Sequence, residues 1–348
     1  MKVAFYAYPS AFQNPGGGEI QLLKTMEYLR KAGVEVKKFD QWNDKLEDYD
    51  VLHVFGSVKM CVGLMNTARN KNVKVALSPI FWSSFKRALH ESGSIRTKME
   101  LFLRHLAKMV FPKMPSGRRK TMTIADILFP NSEMEKEQLM RLFDIPEEKI
   151  YVVPNGVDAR FKDADPKLFT DKYGIKDFVL YSGRIEPRKN QLNFIRAMKR
   201  TGKPAVFIGD AVSDYKEYYS ECRKEAPDNM HFLGRLEHDS DILASAYAAC
   251  DVFVLTSWFE TPGLCALEAA LAGAKVVITP EGSTREYFKD MVIYARPDDI
   301  EEISSSMEEA FGSAVTPELK EHVLENYIWD RVASRTKQGY EKILKGAK

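Results

Sequence analysis

Short apolar runs alternate with longer amphipathic stretches along the first half of the chain. In the amphipathic stretch 19–32, Leu22, Leu23, Met26 and Leu29 recur at helical spacing. The apolar runs are short enough to be buried strands. They predict strands at residues 2–8, 35–39, 51–55, 74–78, 127–130 and 150–153.

The second half of the chain repeats this alternation. Short β-rich runs joined by helical crossovers indicate parallel sheets that are covered on both faces. The two series therefore predict two doubly wound α/β domains, with a ligand cleft between them at the carboxyl ends of the strands. Pro154 and the Asn155-Gly156 pair interrupt the pattern, which places the boundary near residue 158 and the domains at 1–158 and 159–327. The strands of the second domain are predicted at residues 178–182, 205–208, 230–232, 252–255, 275–278 and 292–294.

The composition is that of an ordinary globular enzyme. A chain of 348 residues exceeds what one compact core usually serves, and 45% hydrophobic with 29% charged residues is typical. The four cysteines form no C-x-x-C pair, which predicts free thiols in a reducing, cytoplasmic compartment. The apolar run 3–8 is too short for a signal peptide, and no run of 18 apolar residues predicts a membrane span.

The net charge of +2 is unevenly distributed. Residues 1–165 hold 26 Lys and Arg against 20 Asp and Glu, whereas the remainder holds 25 against 29. Residues 96–120 alone contain eight basic residues and one acid, with Met99, Leu103, Leu106 and Val110 at helical spacing. This pattern predicts a basic amphipathic helix on an anionic membrane surface. The alternative is a core-packed helix followed by a solvated basic loop.

The most specific motif runs from Ser257 to Ala270, directly after a predicted buried strand. Pro262-Gly263 predicts a loop, and the helix-forming residues from Leu264 onward place Glu260 in that loop and Glu268 about one turn into the helix. Free N–H groups at a helix N-terminus suit a diphosphate, and a carboxylate can accept hydrogen bonds from vicinal sugar hydroxyls. Alternatively, Glu268 lies on a solvated helix face.

A second motif, residues 181–190, carries cations after a strand and a glycine turn. Arg184 and Arg188 offer bidentate forks to phosphate oxygens, and Lys189 offers a point charge. In isolation such a run is more often a solvated loop.

A third motif is the glycine run Gly16-Gly17-Gly18 between the first strand and the first helix. Glycines let the backbone approach a ligand closely. Gln21 occupies the position where a dinucleotide fingerprint needs its third glycine, so a nicotinamide cofactor is disfavoured. A plain turn between strand and helix is the alternative for this run.

Together these motifs resemble the family-4 glycosyltransferases, which are retaining enzymes of the GT-B fold. The resemblance implies that Glu260 lies at the donor sugar, that Glu268 binds the ribose, and that Arg184 and Lys189 clamp the diphosphate. Arg184, Lys189 and Glu260 would then be the catalytic residues. By the same resemblance, further donor contacts fall to Gly17, Gly18, Gly263 and Leu264, and base contacts to Leu233 and Arg235.

One position departs from the family pattern. Members often carry a His after the fourth strand, near the transferred sugar, whereas this chain has Ser78. Ser78 and Trp82 are candidate sugar or acceptor contacts, although Trp82 fits core packing equally well. The resemblance also implies that a C-terminal helix, 328–348, rejoins the first domain.

The resemblance implies a retaining hexosyltransferase that uses a UDP or GDP sugar, with a glycan, glycolipid or lipid-linked acceptor. No cofactor, nucleic acid or metal is expected. The D-x-D triplets at Asp163 and Asp239 arise often by chance, and Arg184 and Lys189 can carry the phosphate charge. The expected site of action is the cytoplasm, at the inner membrane face. The alternatives are a catalytically weak nucleotide-sugar-binding protein and a nucleotide-sugar epimerase of the same fold.

Overall fold

A computed structural model describes residues 1–13, 16–85 and 95–345. The chain divides into two compact units. Unit 1 comprises residues 1–84, 100–156 and 327–348, and unit 2 comprises residues 85–99 and 157–326.

Unit 1 is built on a five-stranded sheet in which every pairing is parallel. The strands are β1 (Lys2–Ala7), β2 (Glu35–Lys38), β3 (Val51–Phe55), β4 (Lys74–Ser78) and β5 (Ile127–Leu128). Their order in the sheet is β2-β1-β3-β4-β5, and β3 is buried at all five positions. The valine and phenylalanine side chains of β3 fit a strand that is covered on both faces.

Helices cover this sheet, and the chain returns to it at its C-terminal end. The final helix packs against the first, and its Tyr340 hydroxyl contacts His53 Nδ1 at 2.6 Å on β3. The helices described in unit 1 are α1 (Gly17–Lys31), α2 (Val62–Asn70), α3 (Ile95–Val110), α4 (Gly117–Ile124), α5 (Glu133–Phe143) and α14 (Trp329–Lys345), of which α3 begins in the part assigned to unit 2.

Unit 2 carries a six-stranded parallel sheet. The strands are β6 (Val179–Ser182), β7 (Ala205–Ile208), β8 (Met230–Phe232), β9 (Val252–Leu255), β10 (Lys275–Ile278) and β11 (Ile293–Tyr294). Their order is β11-β10-β9-β6-β7-β8, so β6 and β9 are direct neighbours at the centre, although more than 60 residues separate them in the chain. The helices are α6 (Lys167–Tyr173), α7 (Gln191–Thr201), α8 (Lys216–Glu225), α9 (Asp241–Ala249), α10 (Leu264–Ala272), α11 (Thr284–Phe288), α12 (Ile300–Gly312) and α13 (Pro317–Asn326).

The two parallel sheets confirm the predicted doubly wound α/β class. The predicted strand at 150–153 is wrong, because this segment makes a single bridge, Leu128 with Ile150, and no ladder. All four cysteines are free thiols, as predicted.

The basic segment 96–120 forms two helices rather than one. Two of its cations form hydrogen bonds with backbone carbonyls of unit 1. The Arg118 guanidinium donates to the Ser57 carbonyl at 3.3 Å, and the Arg119 guanidinium donates to the Phe143 carbonyl at 2.9 Å. Most of its large apolar side chains are exposed, including Leu103 at 53% and Phe111 at 64%, whereas Leu101 and Phe102 are partly buried. Among the residues described, no helix is long and apolar enough to cross a bilayer.

Candidate functional site

The four predicted donor residues all lie in unit 2, in segments that follow two neighbouring strands. Arg184 and Lys189 follow β6, whereas Glu260 and Glu268 follow β9. Since the carboxyl ends of parallel strands meet at one edge of a sheet, this topology brings the two motifs together.

The contact that joins these motifs is an ion pair between Lys189 and Glu260. Lys189 Nζ lies 2.5 Å from Glu260 Oε1, and both residues are buried, at 9% and 5% exposure. Burial by itself would raise the pKa of the Glu260 carboxyl, but the charges of Lys189 and Arg188 outweigh it and hold that pKa below its usual range. Glu260 is therefore a carboxylate at neutral pH.

Backbone and side-chain hydrogen bonds fasten the same two loops. The Trp258 amide donates to the Arg188 carbonyl at 3.0 Å, and the Asn190 side-chain amide donates to the Thr256 carbonyl at 3.0 Å. The Lys189–Glu260 pair thus lies between two loops that other hydrogen bonds already hold together. This reduces the conformational entropy that is lost when the two side chains are ordered.

Two further residues of the motif 181–190 complete the charge network, of which the sequence analysis named Arg188 but not Glu186. Glu186 is buried, and its carboxylate lies 3.4 Å from the Arg184 guanidinium and 2.9 Å from that of Arg188. Arg188 also lies 3.8 Å from the Glu260 carboxylate and donates to the Phe259 carbonyl at 3.3 Å. Both lie inside the motif 181–190, but only the fold shows which groups they face.

Glycine geometry fixes the Glu260 loop. The Glu260 carbonyl accepts from the Ser283 amide at 2.9 Å, and a Cβ on Gly282 would lie 1.9 Å from that same carbonyl oxygen. Gly282 also has φ +100°, a conformation that favours glycine. A side chain at this position would therefore displace Glu260.

Glu268 is a buried residue, not part of a solvated helix face. Helix α10 begins after Gly263, which has φ +91°, and Glu268 lies about one turn in at 6% exposure. Its Oε1 lies 2.8 Å from Nε2 of His238, a residue that the sequence analysis missed. His238 belongs to a polar Glu-His-Asp segment that gives no local sign of this contact.

The predicted base contacts, Leu233 and Arg235, flank Gly234 directly after β8. The Arg235 amide donates to the Asp210 carboxylate at 3.0 Å, and the Arg235 guanidinium lies 3.6 Å from Glu237. Strands β8, β7 and β6 are successive in the sheet, so this turn lies along the same edge as Arg184.

The predicted residues of unit 1 have more ordinary environments. Gly17 and Gly18 form the first turn of α1, and the Glu19 carboxylate caps it by accepting from the Gly16 amide at 2.7 Å. Trp82 is buried at 9% exposure.

Ser78 lies at the end of β4, at 3% exposure. Its hydroxyl lies 2.9 Å from His53 Nε2, and His53 in turn contacts Tyr340, so these three side chains form a buried chain of hydrogen bonds. Burial lowers the pKa of His53 to about 3, so the ring is neutral. A role of Ser78 in sugar binding stays a prediction, because its hydroxyl is engaged inside unit 1.

The two D-x-D triplets do not assemble into a metal-ligand cluster in the residues that the structure describes. Asp165 accepts from the Lys167 amide at 2.9 Å, Asp239 lies 3.3 Å from His238, and Asp241 lies 4.0 Å from Arg160.

Comparisons with known proteins identify the family and the fold of the chain. A family model described as Glycosyltransferase Family 4 matches residues 37–161, and one described as Glycosyl transferases group 1 matches residues 167–326. Among curated proteins, an uncharacterized glycosyltransferase, MJ1607, from Methanocaldococcus jannaschii is 28% identical over 60% of this chain and 58% of its own length. The serotype-specific mannosyltransferase WbdA of Escherichia coli is 27% identical over 64% of this chain and 30% of its own length. The matches thus span about half or less of these relatives.

Solved structures match the whole chain. Anabaena Alr3699/HepE in complex with UDP and glucose superposes with a TM-score of 0.73 at 16% identity, covering 98% of this chain and 100% of that one. Sucrose-phosphate synthase from Thermosynechococcus elongatus gives a TM-score of 0.76 at 16% identity, with 99% of each chain covered. At 16% sequence identity, this structural similarity shows that the chain shares their fold.

The buried pair makes a prediction about stability. Lys189→Met and Glu260→Gln should each destabilise unit 2 by about 3–5 kcal/mol. Lys189→Met leaves the buried Glu260 with only the more distant Arg188, and Glu260→Gln leaves the buried Lys189 without its counter-charge. The loss of unfolding free energy in the double variant should be smaller than the sum of the two single losses by at least about 1 kcal/mol. Urea unfolding measures all three. The exposed Arg200–Glu301 pair is the control, with an expected coupling below about 1 kcal/mol. Additive losses at Lys189 and Glu260 would contradict the pairing.

The same pair also predicts a pH dependence. The pKa of Glu260 is lower in the folded state than its usual 4.5, so its contribution to stability is complete above pH 4.5 and is lost as the pH falls through the folded-state pKa. The difference in unfolding free energy between the wild type and Glu260→Gln should therefore shrink on acidification below that pH. A difference that stays constant would argue against a charged Glu260.

Proposed function

Because the chain belongs to the family-4, group 1 glycosyltransferases, with their GT-B fold, we propose that it moves a hexose-type sugar from a nucleoside-diphosphate sugar, of UDP or GDP type, to a glycan, glycolipid or lipid-linked acceptor. The observation that carries this proposal is the meeting of the two motifs at the Lys189–Glu260 pair. It joins the residues assigned to the diphosphate with those assigned to the sugar and the ribose.

The charge balance of this cluster supports a diphosphate ligand. Three cations, Arg184, Arg188 and Lys189, share two carboxylates, Glu186 and Glu260, which leaves one positive charge in excess. The Arg184 side chain is 40% exposed and has donors beyond its contact with Glu186, so it can reach phosphate oxygens.

The proposed reaction proceeds with retention of anomeric configuration. The bond between the anomeric carbon and the diphosphate oxygen breaks, the acceptor oxygen bonds to the same face of the sugar, and the acceptor proton passes to the departing diphosphate. Arg184 and Lys189 stabilise the negative charge that develops on the leaving group. Glu260 orients the donor sugar and Glu268 the ribose, so the protein contributes positioning and charge stabilisation.

The activities named for relatives and structural neighbours support the proposed substrate classes. WbdA and an O-antigen chain mannosyltransferase B are among the relatives, which favours a glycan acceptor in cell-surface polysaccharide synthesis. HepE was solved with UDP-glucose, which favours a nucleotide-sugar donor. Ser78 and Trp82 remain the proposed acceptor-side contacts.

We also propose a peripheral contact with the anionic inner face of a membrane. Its proposed surface is the apolar set Leu103, Leu106, Val110 and Phe111, which is exposed on α3 and just beyond it. The side chains of Arg104 and Lys113 lie in the same segment and are 71% and 77% exposed. Exposed apolar residues beside exposed cations are typical of interfacial helices.

Turnover tests the diphosphate clamp. Arg184→Ala and Lys189→Ala should each lower release of nucleoside diphosphate by about 10²- to 10³-fold, because each removes a charge partner of the transition state. The assay supplies UDP- and GDP-hexoses with a mixed acceptor extract. Arg200→Ala, a surface cation of the same unit, should keep wild-type turnover. Wild-type rates in both clamp variants would refute the clamp, and saturable donor binding without any turnover would favour a binding protein.

Vesicle sedimentation tests the membrane proposal. Binding to phosphatidylglycerol-containing vesicles should exceed binding to phosphatidylcholine vesicles. It should fall at least tenfold in Leu103→Ser/Phe111→Ser, because burial of apolar area drives such binding. Arg104→Gln/Lys113→Gln should lower binding to the anionic vesicles selectively. Val315→Ser, which changes an exposed apolar residue of unit 2, is the control. Unchanged partitioning of the Leu103/Phe111 variant would contradict the proposal.

A further inference from the structure

His238 contacts the buried carboxylate of Glu268 through its imidazole ring. Nε2 of His238 lies 2.8 Å from Glu268 Oε1, and Nδ1 lies 3.3 Å from the Asp239 carboxylate. Two contacts hold the histidine in place. Arg160 donates to its carbonyl oxygen, and the Phe161 ring packs edge-on against its imidazole, with 6.2 Å between the ring centroids. The His238 side chain is only 21% exposed, so these contacts restrict the positions that its imidazole can take.

A carboxylate offers about four lone-pair positions on its two oxygens. The contact with His238 occupies one position on Oε1 and restricts rotation of the carboxylate. The Tyr247 side chain also interacts with Glu268, and the lone-pair positions that remain can accept from a vicinal diol. We propose that His238 is a positioning residue, which fixes Glu268 in the orientation that binds the ribose hydroxyls of the donor nucleotide. This inference rests on the proposed function, since it takes Glu268 as the ribose contact.

The charges around His238 imply a second property. The groups that face it are the carboxylates of Glu268 and Asp239 and, at its backbone, the guanidinium of Arg160; Tyr247 and Cys265 lie beside Glu268. Burial by itself would lower the pKa of His238, but the hydrogen bonds and charges of Glu268 and Asp239 raise it above the usual 6.5. Both ring nitrogens can then donate, so the protonated form satisfies both carboxylates.

Nucleotide binding should strengthen this pair, since a ribose over Glu268 excludes water from it. The bound state then holds the His238 proton more tightly than the free state. By linkage, the extra affinity is complete below the pKa of the free protein and is lost as the pH rises through the raised pKa of the complex.

The experiment compares ribose with deoxyribose. Calorimetric titration with UDP, GDP and ADP identifies the base that binds, and the matching 2′-deoxynucleoside diphosphate is then titrated into the wild type and two variants. The wild type should prefer the ribonucleotide by about tenfold or more, as expected for a hydrogen bond to a charged group. His238→Ala should reduce this preference to about two- or threefold. His238→Gln should largely restore it, because the Gln amide can still donate to Glu268.

The outcomes separate the inference from simpler explanations. A merely structural role would weaken both nucleotides equally and leave their ratio unchanged in His238→Ala, which would overturn the inference. If none of the three nucleotides binds the wild type, the proposed function itself fails. His231→Gln, which changes a histidine on β8, should retain the wild-type ratio.

The same proteins test the pH dependence. The ratio of wild-type to His238→Gln affinity for the ribonucleotide should decline as the pH rises from about 6 to 9, and titration of the nucleotide phosphate cancels in that ratio. A ratio independent of pH would contradict the linkage.

Discussion

The candidate site depends on one buried ion pair, Lys189 with Glu260. Two charges removed from water are costly unless each finds a partner and further hydrogen bonds. Here Arg188 adds a second cation beside Glu260, and backbone contacts between the loops hold both groups in place. Because neither charge could remain buried alone, the pair forces the loop after β6 and the loop after β9 to fold as one unit.

Sheet topology makes this pairing available. Strands β6 and β9 are neighbours at the centre of the unit 2 sheet, so residues far apart in sequence end at the same edge. The pair Glu268 and His238 uses the same edge, with His238 arriving from the segment after β8. The result is a cluster with cations after β6 and carboxylates after β9. In the proposed function the cations serve the diphosphate, and the carboxylates serve the hydroxyl groups of the sugar and the ribose on either side of it.

Most strands of the two sheets were predictable from the sequence. Strands buried on both faces give continuous apolar runs, so β3, β6 and β9 were visible without a structure. The segment 150–153 has the same composition, but it follows the edge strand β5 and makes only one bridge to it. An apolar run shows that a segment is buried, and ladder formation depends on neighbours that the sequence does not display.

The site residues that the sequence analysis missed were not predictable for a different reason. Glu186 and His238 act through partners that are close only after folding, and locally each lies among polar residues typical of a loop. The basic segment 96–120 shows the same limit, since composition could not show that Arg118 and Arg119 donate to carbonyl groups of unit 1. Residue types that carry chemistry were predictable, whereas the residues that orient them were not.

Thermal unfolding with and without nucleoside diphosphates tests the central claim most directly. At about 100 times its dissociation constant, one of UDP, GDP or ADP should raise the unfolding midpoint of the wild type by about 5 °C or more, since a ligand that binds only the folded state adds stability by mass action. The Lys189→Met/Glu260→Gln double variant, tested after circular dichroism has shown that it is folded, should show little or no shift. Equal shifts in both proteins, or none with any of the three nucleotides, would contradict the account.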